Sequence, residues 1–347
     1  MKTDLIKPYT REERLKMTRT RAGEQKIGDL VAVPSGDWRK DLESSPARFV
    51  VLGIPEDIGV RANYGRAGAS TAFRPALDSF LNLQNNSFIS VDSIFVLGEV
   101  EVGDLMEKAL GLSARNKRDL AALRALVAQL DERVSEVIAF LVKLGKVPVV
   151  IGGGHNNAFG NIKGASVALG RGIHVINCDP HLDFRDAEGR HSGNGFSYAY
   201  EQGYLERYAV LGMHEQYNNQ SSIRRFQEQP TRLFFNTYES VFVREEMEFR
   251  SAVRQCAGFV KGEVCGLEID LDAITNVPSS AKTSSGISPV NARQYVYACA
   301  RELDAIYFHI AEGAPVLSHI KADNKTGKLI AYLMCDFIKA SEERLGA

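Results

Sequence analysis

The chain is poor in the features that would send it to a specialised class. It has five cysteines, Cys178, Cys256, Cys265, Cys299 and Cys335, an odd and scattered count in mostly apolar segments. No pair has zinc-finger spacing, so buried free thiols in a reducing compartment are expected rather than disulfides. Charge of one sign is missing too: 42 Lys and Arg stand against 43 Asp and Glu, a formal net charge of −1. That balance excludes the basic field of a nucleic-acid binder. No apolar run is long enough to span a bilayer. The N-terminal stretch MKTDLIKPYTREERLK lacks the apolar core of a signal peptide. A cytoplasmic protein without a membrane partner is expected. Repeats, low-complexity tracts and Pro- or Ser-rich linkers are absent as well.

What the chain does have is length and alternation. With 347 residues, 44% of them hydrophobic, it can bury a large core. Short β-rich runs are predicted at 49–55, 93–97, 146–151, 173–176, 208–213, 233–236, 264–269 and 305–310. Helices are predicted at 72–83, 116–144, 157–169, 243–259, 290–303 and 327–342. The 116–144 stretch has apolar residues three and four apart from Leu120 to Leu141. Strands alternating with helices predict an α/β fold, a three-layer α/β/α sandwich on a mainly parallel sheet. Residues 1–46 are expected as an arm, or a short helix, packed on a single catalytic domain over 47–347.

Three predicted strand ends carry chemistry. Ile173–Asp186 reads IHVINCDPHLDFRD and places Asp179, His181 and Asp183 at alternate positions. In an extended chain those side chains share one face. Ile151-Gly-Gly-Gly-His155 is a sharp turn that leaves His155 at a strand edge; it lacks the Lys and Ser/Thr of a phosphate loop. Glu268-Ile-Asp270-Leu-Asp272 again alternates acids, which repel unless a cation neutralises them. Glu268 sits deeper and is not expected as a ligand. Cys178 should turn to the opposite face from Asp179. The remaining set, His155, Asp179, His181, Asp183, Asp270 and Asp272, exceeds the needs of one ion. It suits two divalent cations, and hard oxygen donors without thiolate suit Mn²⁺.

In this order and at these separations, GGGH, DPHLD and DLD resemble the ureohydrolase (arginase/agmatinase/formimidoylglutamase) family, from about Phe49 onward. PEDIGVRANYGRAGA resembles the family's early Gly-rich loop, and AEGAP around Glu312 its late acidic motif. The resemblance implies two Mn²⁺ per chain, bridged by Asp179 and Asp270. His155 and Asp183 would complete one site, His181 and Asp272 the other. A water between the ions would be the nucleophile towards an amidine-type carbon, and Glu312 would hold the substrate's cationic head. A homo-oligomer is expected by resemblance only.

The branch is read from the loop after the metal motif. Ser192-Gly193-Asn194 matches the family, but Phe196 stands where its proton-shuttling His would be, as in the formimidoylglutamase branch. His191 is expected either to shuttle protons from outside the motif or to cap the loop. Arg185, two residues past Asp183, would repel a guanidinium and attract a carboxylate. Arg61, Arg66, Arg190, Ser192 and Asn194 are further candidate substrate contacts. N-formimidoyl-glutamate, with an amidine head and two carboxylates, is the expected small-molecule substrate. Rival readings are a family hydrolase of a guanidino compound, a single-zinc deacetylase of the same fold, and a metal-free binding protein. After Asp272 the chain reads AITNVPSSAKTSSGIS and departs from better-known members; Asn276, Ser279 and Ser285 are weaker candidates there.

Overall fold

A computed structural model describes residues 5–318 and 324–346. Its frame is a nine-stranded sheet in the order β1-β3-β2-β4-β9-β8-β5-β6-β7. The strands are β1 (Ile6–Pro8), β2 (Phe49–Gly53), β3 (Ile94–Val100), β4 (Val147–Ile151), β5 (Ile173–Cys178), β6 (Leu205–Met213), β7 (Leu233–Thr237), β8 (Cys265–Asp270) and β9 (Ala305–Ala311). All pairings are parallel except the edge pair β1–β3. The segment expected as an arm or short helix therefore also extends the sheet, although residues 1–4 of it lie outside the described residues. Ile6–Pro8 is too short to show a strand's alternation, so the pattern could not reveal it.

Each strand sends alternate side chains to opposite faces, and each face has its own core. Phe49 and Val51 join one cluster, Val50 and Leu52 the other. The first face is covered by helices Phe73–Leu81, Phe249–Val260, Pro289–Glu302 and Lys325–Gly346. The second is covered by Lys117–Lys143, Asn157–Leu169 and Gly195–Glu201. Cys178 falls in the first cluster, away from the acidic loop that follows it, and all five cysteines are free and buried. Among the described residues no helix is long and apolar enough to cross a membrane.

Helix boundaries follow local chemistry. Asn116 accepts from the N–H groups of Arg118 and Asp119 and so starts Lys117–Lys143. Gly170, at φ +67°, ends Asn157–Leu169. The helix expected at 243–259 begins only at Phe249, because a wide turn at Glu239–Val243 and a left-handed Glu245 (φ +52°) precede it.

The long helix carries one buried acid in its apolar stripe, Asp131. Its two carboxylate oxygens accept from Arg190 Nε (2.7 Å) and Nη2 (3.2 Å). Arg190 lies between the rings of Phe159 and Tyr198, each 4.9 Å from its guanidinium carbon. This buried pair ties the loop after β5 to the helical layer. Replacing Asp131 by Ala leaves a buried guanidinium without its counter-charge and is expected to cost about 3–5 kcal/mol in urea unfolding. Adding Arg190→Met to that variant should recover part of the loss. A single variant within about 1 kcal/mol of the parent would show that the pair does not anchor the loop.

Candidate metal centre

The carboxyl ends of β4, β9, β8 and β5, four neighbours in the sheet, deliver the site. After β4 the chain turns through Gly152 (φ +82°) and Gly153 (φ +74°), conformations that suit glycine, and presents His155. Glu56, in the loop after β2, pins this turn. Its Oε1 accepts from Gly154 N and from the amides of Asn156 and Asn157, and its Oε2 from Ile58 N and Gly59 N. Sequence reasoning missed Glu56; its only signal was an acid inside a Gly-rich loop.

The alternation argument holds for Glu268 and Asp270, which share a face of β8 beside His155, but not for Asp179–Asp183 or Asp272. β5 ends at Cys178, and Asp179–Asp183 is an irregular loop in which Asp183 has φ +46°. The loop is held from outside: Asn218 accepts from Leu182 N and donates to the Pro180 carbonyl, and His181 N donates to Asp179 Oδ1 at 2.7 Å. Asp270 is the last residue of β8; a single 3-10 turn, Leu271–Ala273, follows. Asp270 Oδ1 accepts from Asp272 N at 2.6 Å. Turns, rather than an extended strand, aim Asp179, His181, Asp183 and Asp272 at one point.

All six residues converge. His155 Nδ1 lies 3.1 Å from Asp179 Oδ2, 3.1 Å from Asp183 Oδ2 and 3.2 Å from Asp270 Oδ2. His181, Asp270 and Asp272 form a second group with donor atoms within 4.8 Å of one another, and His181 Nδ1 is 3.4 Å from Asp179 Oδ1. Asp270 belongs to both groups, and Asp179 touches both histidines. An octahedral ion with bonds of roughly 2.1 Å separates neighbouring donors by about 3 Å, so the spacing around His155 fits a hard divalent cation.

The electrostatics also call for one. Burial first, then the neighbouring carboxylates, push Asp270 well above its ordinary value; Asp183 is raised for the same reasons. Burial raises Asp272 too. Burial would also raise Asp179, but contact with His155 and His181 outweighs it and holds that carboxyl low. His181 is lowered by burial, yet Asp179, Asp183 and Asp272 lift it to about 10. Buried acids that resist ionisation together are relieved by a cation between them.

A cavity of about 340 Å³ opens on this cluster; its wall includes Asn63, His181, Asp183, Arg185, Ser192, Tyr217, Asp272, Ser280 and Glu312. Glu312, at φ +63° past the end of β9, accepts from His155 N through Oε1 at 2.8 Å. Its Oε2 is buried without a partner. Arg185 reaches the wall but is paired with Glu188 at 3.2 Å. Ser192 accepts from Asn63 at 3.2 Å.

Other expected contacts are placed elsewhere. Arg61 donates to the carbonyls of Ala109 and Leu112. Arg66 holds the 273–288 loop through the carbonyls of Ser279 and Ser280. Arg190 is spent on Asp131, and Asn194 accepts from Arg190 and His191 N and donates to the Gly189 carbonyl. His191 is buried, with Nδ1 accepting from Gly193 N and Nε2 3.1 Å from Glu188. Asn276, Ser279 and Ser285 do not line the cavity. From their loop Ser280 and Ala281 do, bonding both oxygens of Asp272. Tyr217, stacked on His181 with centroids 5.8 Å apart, lines the mouth and was not foreseen.

Comparison with known proteins places the sequence and the fold. The family model described as Arginase family matches residues 47–339. A formimidoylglutamase of Chromobacterium violaceum is 31% identical over 193 residues, covering 53% of this chain and 55% of that protein. One of Streptococcus pyogenes serotype M12 is 28% identical over 298 residues, covering 82% of this chain and 81% of that protein. Among solved structures, formimidoylglutamase from Bacillus subtilis superposes with a TM-score of 0.75 at 16% identity, covering 93% of this chain and 94% of that one. Trypanosoma cruzi formiminoglutamase with Mn²⁺ gives 0.69 at 19% identity, covering 91% and 98%. These structures share the α/β sandwich, and the match over 47–339 assigns the sequence: the chain belongs to the arginase family.

Proposed function

We propose that the site is a two-manganese centre hydrolysing a linear amidine, and that the substrate is N-formimidoyl-L-glutamate, giving formamide and L-glutamate. One observation carries the reading. The cavity beside the paired donor groups offers a buried, unpartnered carboxylate oxygen on Glu312 and a guanidinium on Arg185. That wall complements a molecule with an amidinium at one end and carboxylates at the other. The names of the curated relatives, both formimidoylglutamase, support the same substrate.

His155 and Asp183 would hold one ion and His181 and Asp272 the other, with Asp179 and Asp270 shared. Four aspartates then balance two divalent cations. Manganese bound there supplies Lewis acidity and an activated water near neutral pH. Glu312 receives the amidinium at Oε2. Burial and the charge of Asp272 lift its carboxyl to about 8, so the group is largely protonated at neutral pH until a cation beside it favours the ionised form. Arg185 exchanges Glu188 for a substrate carboxylate and rejects a second guanidinium, and the Ser192 hydroxyl can donate into the cavity.

The departing amine needs a proton. Phe196 cannot supply one; its ring is stacked on Tyr208, with centroids 4.3 Å apart, and meets His155 edge-on. His191 does not supply one either. Both its ring nitrogens are engaged within the loop, it is not part of the cavity wall, and burial depresses it to about 4. It caps the loop, the second of its two expected roles. Proton transfer falls to the carboxylates that line the cavity.

Three measurements test this reading. Manganese-loaded protein should release formamide from N-formimidoyl-glutamate, and much less or no urea from arginine, agmatine or guanidino acids. Absence of formamide at full metal loading would overturn the substrate. Arg185→Ala should raise KM for the diacid about 10-fold or more while changing kcat less, as expected for the loss of a charge-assisted bond made equally in ground and transition states. An equal loss in kcat alone would remove Arg185 from substrate recognition. His191→Gln should leave the alkaline limb of the rate profile unchanged. Because the folded ring binds its proton less tightly than the unfolded one, the stability tied to its neutral form is complete above about pH 6.5 and is lost as pH falls towards 4. Melting temperature should therefore depend less steeply on pH in that window in the variant. An unchanged slope would contradict the buried neutral ring.

A further inference from the structure

Behind His155, on the side away from the cavity, lies a polar row that the reaction does not use. Asn177, Glu268 and His309 sit at matching register on the adjacent strands β5, β8 and β9. Glu268 and His309 are completely buried. Glu268 Oε2 lies 2.6 Å from His309 Nδ1 and 3.4 Å from His155 Nε2, the latter a charge contact without hydrogen-bond geometry that leaves Nε2 and Glu268 Oε1 buried with no hydrogen-bond partner. His309 Nε2 in turn is 3.3 Å from the carbonyl of Gly152, the first glycine of the turn that carries His155.

His155 Nε2, Glu268 and His309 resemble a ligand set but do not form one. A 2.6 Å separation is a short hydrogen bond, and it leaves no room for an ion to stand roughly 2.1 Å from both atoms at an ordinary coordination angle. The geometry differs from the other side of the His155 ring, where Nδ1 has three carboxylates at 3.1–3.2 Å.

A neutral imidazole has one N–H and one lone pair, and the partner of one nitrogen decides which is which. If the proton sat on Nδ1, it would point into the carboxylates and shut an ion out. We propose that Glu268, held in place by His309, is a positioning residue that keeps the His155 proton on Nε2 and so leaves the Nδ1 lone pair facing the metal pocket. His309 contributes by clamping Glu268 from one side and reaching the Gly152 carbonyl from the other. The carboxylate and the turn that carries the ligand are thereby set by the same ring. Phe196, edge-on to His155, blocks rotation of that ring towards an alternative pairing. Partners of this kind behind a ligating histidine typically change metal affinity 10- to 100-fold when removed.

This inference rests on reading the cavity cluster as a two-ion centre, so the experiment begins with the parent protein. Mn²⁺ uptake is followed by titration calorimetry and by the electron paramagnetic resonance signal of free aqueous Mn²⁺, with melting curves of the metal-free proteins alongside. The parent should take up two ions. Glu268→Ala should keep one ion at parent affinity and bind the other about 10- to 100-fold more weakly. Glu268→Gln retains an oxygen acceptor and most of the volume, so it should recover much of that affinity; it also carries the test if the Ala variant fails to fold. His309→Gln should fall between the two. A purely structural role predicts lower melting temperatures with both affinities intact in every folded variant, and that result would overturn the proposal. Fewer than two ions on the parent would instead overturn the two-ion reading, and this inference with it.

Discussion

Mutual repulsion among buried aspartates is the constraint to which the rest of the structure answers. Asp179, Asp183, Asp270 and Asp272 meet at one point at the foot of the cavity, and burial and crowding push three of them above the ordinary carboxylate range. Such a group stays together only if its backbone is held on every side. The sheet provides the base, since four neighbouring strands end together. The last residues are then bent into uncommon conformations, with Asp183 and Glu312 both in the left-handed region. Such strain persists where the surroundings over-determine it. Asn218 fixes the loop on one side, Glu56 the glycine turn on the other, and Ser280 and Ala281 hold Asp272 from above.

Much of the fold is legible in the residues because periodicity is a local property. The helix over 157–169 lies where predicted, and the long helix is within a residue of its predicted ends. Strands buried on both faces announce themselves as short apolar runs. Segments whose structure depends on a partner did not. Ile6–Pro8 is a strand because β3 offers an open edge, not because of its own composition.

The site divides along the same line. Residue types and spacing pointed to the six side chains that meet, but alternation along an extended strand, the reason first given, holds for Asp270 on β8 and not for Asp179–Asp183 or Asp272. Loops bring them together, and the motif sufficed because each loop is short enough for its sequence to prescribe the turn. The arginines were harder to read, since a guanidinium's role depends on whichever carboxylate or carbonyl reaches it first. Arg190 is taken by Asp131 from a distant helix and Arg61 by the carbonyls of Ala109 and Leu112, pairings that no local pattern records. Arg185 lines the cavity while paired with Glu188, which is itself partly exposed.

Phe196 links these levels. A histidine there could have carried protons between cavity and solvent. The aromatic ring instead packs on Tyr208 and against the edge of His155, closing the back of the cluster to water. Excluding water strengthens every charge interaction inside, including the contact between His155 and the aspartates. The substitution that deprives the site of a mobile base thus makes its fixed charges more effective. The Glu312 carboxyl and the Arg185 guanidinium stand on the wall of the same cavity.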